Sequence, residues 1–146
     1  MIKSQKHIVY ELLPDEGEFE RIRQVILADD LPRDLQLSLC LAAEELFVNI
    51  CSYAFPEKTG TGESVLFTYD RSDRILMCFE DGGIPFNPTE NRTDIGEYDI
   101  DTEIGGLGRL IAFTIADEVN YEYTDGKNIL TLIKYLKEKN DENFTE

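Results

Sequence analysis

Three short stretches of this 146-residue chain carry side chains whose types and spacing could do chemistry. In Glu44-Glu45-Leu46-Phe47-Val48-Asn49, Glu45 and Asn49 stand four apart, which puts them on one face of a helix, one turn above the other. A carboxylate and an amide stacked among apolar neighbours must find partners or serve a site. An Asn oxygen is a hard ligand suited to Mg²⁺, and a Glu one turn away can order or deprotonate a nucleophile. A polar pair satisfied by neighbouring backbone, or a solvent-facing stripe, is the alternative. The second stretch, EDGGIPFNP at 80–88, follows the apolar run Ile75–Phe79. An ionised Asp81 is an acceptor only and can take a hydrogen bond from an exocyclic amine such as adenine N6. Gly83 lacks the Cβ that would keep a flat ring from the backbone. A plain turn fits the same residues. The third is Gly105-Gly106-Leu107-Gly108 at the start of a helix, where backbone amides and the helix N-terminus can close on phosphate oxygens; a hinge is the alternative.

The elements that must position these stretches follow from hydrophobic spacing. His7–Leu12 reads as a strand that Pro14 ends. Asp15 then caps a helix with apolar residues at Phe19, Ile22, Val25 and Ile26. Asp29-Asp30-Leu31-Pro32 breaks it, and Pro32 opens a second helix that runs to Ala54. That helix is apolar on more than one face and should be central. Strands Val65–Tyr69 and Ile75–Phe79 form a hairpin about Arg71-Ser72-Asp73. The segment Thr89–Glu103 is polar, acidic and aperiodic, as binding loops and lids are. A helix from the glycine turn through Ala116 and two strands, Val119–Tyr123 and Ile129–Tyr135, complete the chain, the last two joined by Asp125-Gly126-Lys127-Asn128. Strands in hairpins and grouped helices predict an α/β two-layer sandwich, its largely antiparallel sheet covered on one face by helices. Residues 1–136 are expected to form one domain, and 137–146 a charged tail.

Composition narrows the function. The formal net charge of −16 argues against nucleic acid, since a polyanion would have to approach a polyanion. It tolerates a nucleotide whose phosphates are screened locally, and it suits a basic partner surface. No apolar run approaches the roughly 20 residues that span a bilayer, and no apolar stretch follows the N-terminus as in a secretory signal; membrane association is not expected and the cytoplasm is the expected compartment. The three cysteines, Cys40, Cys51 and Cys78, lie in apolar patterns without a CxxC, so free buried thiols are expected rather than disulfides or zinc. His7 is the sole histidine and sits in no motif.

Taken together and in this order, E-x-x-x-N on a helix, D-x-G after a strand, G-G-L-G before a helix and Thr131 on a late strand resemble the GHKL (histidine kinase-like) ATP-binding superfamily. At this length, without a dimerisation helix or phospho-accepting histidine, the chain looks most like the anti-sigma factor serine/threonine kinase branch. The resemblance spans roughly Asp34 to Tyr135. "LAAEELFVN", "DGGIPFNP", "GGLGRLIAFTIADEVNY" and "GKNILTL" carry it.

The resemblance implies ATP and Mg²⁺ as cofactors. Glu45 would be the general base or a water-positioning acid, Asn49 the Mg²⁺ ligand, and Asp81 the adenine reader with Gly83 beside the ring. Gly105, Gly106, Leu107 and Gly108 would line the phosphates, Thr131 would assist at the adenine edge, and Thr89–Glu103 would be the ATP lid. The implied partners are an anti-sigma antagonist protein and a sigma factor, and a homodimer is compatible. A silent ATP-binding module that sequesters a partner is the alternative function, and an interaction protein with an empty pocket a third. Two positions depart from the family pattern: Tyr53 stands where a histidine often follows the Asn, and Arg109 where an apolar residue is usual. The lid is unusually acidic, which should weaken triphosphate binding unless Mg²⁺ or a basic partner compensates.

Overall fold

A computed structural model describes residues 5–57, 62–89, 112 and 114–136. Seven elements organise them: β1 (Lys6–Leu12), α1 (Phe19–Ala28), α2 (Arg33–Tyr53), β2 (Val65–Arg71), β3 (Arg74–Asp81), β4 (Glu118–Thr124) and β5 (Lys127–Tyr135). The strands make one sheet in the order β1-β2-β3-β5-β4, and every neighbouring pair is antiparallel. This is the expected two-layer α/β arrangement.

Strand alternation builds the core. Val65, Phe67 and Tyr69 of β2, Ile75, Met77 and Phe79 of β3, and Leu130 and Leu132 of β5 are all buried on the helix-covered face. From α2, Leu39, Ala42, Ala43, Leu46, Phe47, Ile50 and Cys51 meet them. Phe47 lies between Phe19 and Phe79, with ring centroids 6.5 and 6.4 Å away. By length and composition α2 could cross a membrane, a helix that the sequence reading did not flag; eight of its residues are buried inside the domain instead.

Asp15 does cap a helical segment, but its side chain accepts from Gly17 N at the head of one 3-10 turn, Glu16–Glu18, and α1 follows. At the break between the helices, the carboxylate of Asp29 is buried and accepts from Tyr69 Oη at 2.7 Å, Arg71 Nη1 at 2.9 Å and its neighbour's amide, Asp30 N, at 2.9 Å. Gln36 Nε2 donates to the carbonyls of Leu27 and Asp29. The break is therefore a polar clamp fixing α1 and the start of α2 to β2. Burial, then the bond to Asp29, raises the Tyr69 phenol above its ordinary range.

Two of the strand boundaries that differ from expectation matter for the site. β3 continues past Phe79 to Asp81, because Asp81 still has Val65 on one side and Asn128 on the other. The β4–β5 turn is only Asp125-Gly126, with φ of 54° and 77°. Two consecutive left-handed residues make the tight hairpin that matches strand twist. Lys127 and Asn128 thus belong to β5 rather than to the turn.

Candidate functional site

The site grows from the ends of α2, β3 and β5. On α2, Asn49 Nδ2 donates to Glu45 Oε2 at 2.8 Å, so the pair expected one turn apart does meet. Both side chains are half-buried. With its Nδ2 committed to Glu45, Asn49 has an oxygen left to accept or ligate.

Asp81 ends β3 at 3% exposure. Its Oδ1 accepts from Gly83 N at 2.8 Å and from Asn128 Nδ2 at 2.9 Å. Its Oδ2 is also buried and has no partner among the described residues. Burial raises the Asp81 pKa above the ordinary carboxylate value, and the bonds from Asn128 and Gly83 oppose that rise. A buried acceptor without a donor costs free energy, and a ligand N–H would relieve it. This carboxylate therefore fits an amine-bearing base.

Gly83 has a nearer steric reason than a bound ring. A Cβ there would lie 2.3 Å from the carbonyl oxygen of Ala54, just past α2. The next amide, Ile84 N, donates to that same oxygen at 2.9 Å. The end of α2 that carries Asn49 is thereby joined to the exit of β3 that carries Asp81. Tyr53, where the resemblance leads one to expect a histidine, lies against Phe86 with centroids 5.3 Å apart.

Asn128 is the site residue that sequence reasoning missed. It is 3% exposed, and its amide is committed on both sides. Nδ2 donates to Asp81 Oδ1 and to Ile84 O at 2.9 Å each. Oδ1 accepts from Phe86 N at 3.0 Å and from Tyr121 Oη. The signal available was the turn: a two-residue Asp-Gly hairpin turn places Asn128 in β5, and the pairing of β5 with β3 then sets it opposite Asp81.

The structure does not bring Thr131 to Asp81. Thr131 pairs with Cys78 across the β3–β5 ladder, and its Oγ1 lies 3.7 Å from Cys78 Sγ. Cys78 is three residues from Asp81, an odd number, so strand alternation puts the two on opposite faces of the sheet. The adenine-edge role implied for Thr131 is corrected on that ground, and Asn128 occupies the register position opposite Asp81. Gly105, Gly106, Leu107, Gly108, Arg109 and the acidic segment 90–103 lie outside the described residues.

Among the described residues no group of three or more His, Cys, Asp or Glu could hold a metal ion by itself. A Mg²⁺ on Asn49 would need phosphate oxygens and water to complete its shell, which is how Mg²⁺ is ordinarily held beside a nucleotide.

A sheet with helices on one face, an E-x-x-x-N pair on the central helix and a one-sided buried Asp at a strand end define a nucleotide-binding domain. Residues 18–134 match the family described as Histidine kinase-like ATPase domain, and the chain belongs to that family. It is 26% identical over 141 residues to the serine-protein kinase RsbW of Bacillus mycoides, covering 90% of this chain and 86% of that protein. It is 28% identical over 111 residues to the serine-protein kinase RsbW of Staphylococcus aureus, covering 73% and 69% respectively.

Proposed function

We propose that this protein is an ATP-dependent serine/threonine protein kinase of the anti-sigma type, acting on an anti-sigma antagonist protein and holding a sigma factor as its alternate partner. The observation that supports the nucleotide reading is the buried Oδ2 of Asp81, which has no partner among the described residues and would accept from the adenine amine. The names of the relatives support the kinase reading.

Phosphoryl transfer asks a protein mainly for positioning and charge neutralisation. Asp81 would hold the base and Asn49 would offer its oxygen to Mg²⁺. When bound, the metal supplies positive charge to the phosphate oxygens. Glu45, oriented by Asn49, would accept the proton of the attacking hydroxyl. The new bond joins the acceptor oxygen to the γ-phosphorus, the bond from the γ-phosphorus to its bridging oxygen breaks, and ADP leaves. Gly105, Gly106, Leu107 and Gly108 would line the phosphates.

The test follows labelled γ-phosphate from ATP onto the antagonist protein of the same regulatory system. Glu45→Gln is expected to lower transfer by about 10²–10⁴-fold, the usual worth of a general base, while ADP binding persists. Transfer at the wild-type rate would remove Glu45 from the chemistry. Nucleotide binding with no transfer by the wild type would leave a regulatory ATP-binding module.

A further inference from the structure

We propose that Asn128 sets the base selectivity of this site, by fixing which single atom of the side chain at position 81 faces the nucleotide. The inference rests on the reading that Asp81 faces a purine, and deepens it.

The amide of Asn128 takes its orientation from two backbone groups, whose donor and acceptor roles cannot reverse. Phe86 N is a donor, so it takes the oxygen of Asn128. Ile84 O is an acceptor, so it takes the NH₂. The amide of Asn128 is thus held in one orientation, and its NH₂ necessarily faces Asp81 Oδ1. Gly83 N, a third backbone donor, converges on that same oxygen. Among the described residues two fixed donors claim Oδ1 and none claims Oδ2. Both residues are 3% exposed. Whatever side chain stands at 81 must turn an oxygen inward, and the base meets only the second atom. For Asp that atom is an acceptor, which suits an amine and rejects a carbonyl.

The experiment titrates ADP and IDP, whose hypoxanthine carries a carbonyl where adenine carries the amine. The wild type is expected to prefer ADP by about tenfold or more, the cost of facing a buried acceptor with another acceptor. In Asp81→Asn the two fixed donors hold the new amide oxygen inward and turn its NH₂ outward, so the preference inverts toward IDP. In Asn128→Leu a donor to Asp81 is lost. The buried carboxyl then favours its neutral form, which can present either oxygen, and the ADP:IDP ratio falls toward one. A purely structural Asn128 would weaken both nucleotides equally and leave the ratio unchanged.

An Asp81→Asn protein that still prefers ADP, or binds neither nucleotide, overturns the proposal while leaving the base reading in place. A wild type indifferent to the base overturns both. Should Asn128→Leu not fold, the Asp81→Asn result decides alone.

Discussion

At the scale of the residue, Asp81 carries a conflict between folding and binding. Its pKa lies above the ordinary 3.8 because burial penalises the charge, with Asn128 and Gly83 opposing. A raised folded-state pKa means that, without ligand, the contribution of Asp81 to stability is fully present below the unfolded value and is lost as pH rises through the folded one. Nucleotide binding has the opposite sign, since the ionised form is the stronger acceptor for the amine. ADP affinity is therefore expected to fall as pH is lowered through a window lying above 3.8. Titration calorimetry across acid pH checks this; an affinity flat down to that value would contradict it. The ligand-free Asp81→Asn protein, relieved of a buried charge, should equal or exceed the wild type at neutral pH, by up to about 2 kcal/mol. On the proposed reading, the residue that faces the base is one that the empty fold would do better without.

At the scale of the element, the join between α2 and the exit of β3 decides whether Asn49 and Asp81 serve one site. Gly83 makes that join possible. Gly83→Ala would drive a Cβ to 2.3 Å from the Ala54 carbonyl oxygen, which is backbone and cannot swing aside, whereas a Cβ at Gly82 meets nothing within 4 Å. Gly83→Ala is expected to cost about 1–3 kcal/mol and to weaken ADP binding by displacing the Gly83 amide from Asp81. Gly82→Ala should leave both nearly unchanged. Denaturant unfolding and ADP titration of the two variants check the pair, and equal behaviour would deny the join its role.

At the scale of the whole molecule, the formal charge of −16 sets the terms on which a polyanionic ligand enters. Coulomb repulsion over the surface disfavours a bare nucleotide, so the metal should matter more here than in a neutral host. Mg-ADP at about a hundred times its dissociation constant adds about 2.7 kcal/mol. That should raise the thermal midpoint by roughly 2–8 °C, and ADP with a chelator should raise it less. Unfolding scans with ADP, with and without Mg²⁺, read this directly; equal shifts would remove the metal from binding.

Local pattern sufficed for the described elements and for the Glu45–Asn49 pair. The spacing of Phe19, Ile22, Val25 and Ile26 specified α1, and the long apolar run after Pro32 specified the central helix. The four-residue step from Glu45 to Asn49 placed that pair on one face, because helical neighbours are a matter of pitch alone. What spacing could not decide was anything that depends on one strand's register against another. Thr131 and Asn128 are three residues apart on one short strand, and both are polar. Only the ladder with β3 puts Asn128 beside Asp81 and Thr131 on the far face, since a shift by an odd number of residues reverses which side of the sheet a side chain takes. The clamp of Asp29 on Tyr69 and Arg71 was hidden for the same reason, since its partners lie 40 and 42 residues away in sequence. The kinds of chemistry were written along the chain. Which atoms face one another was settled by the pairing of strands and by the closing of β3 onto the end of α2.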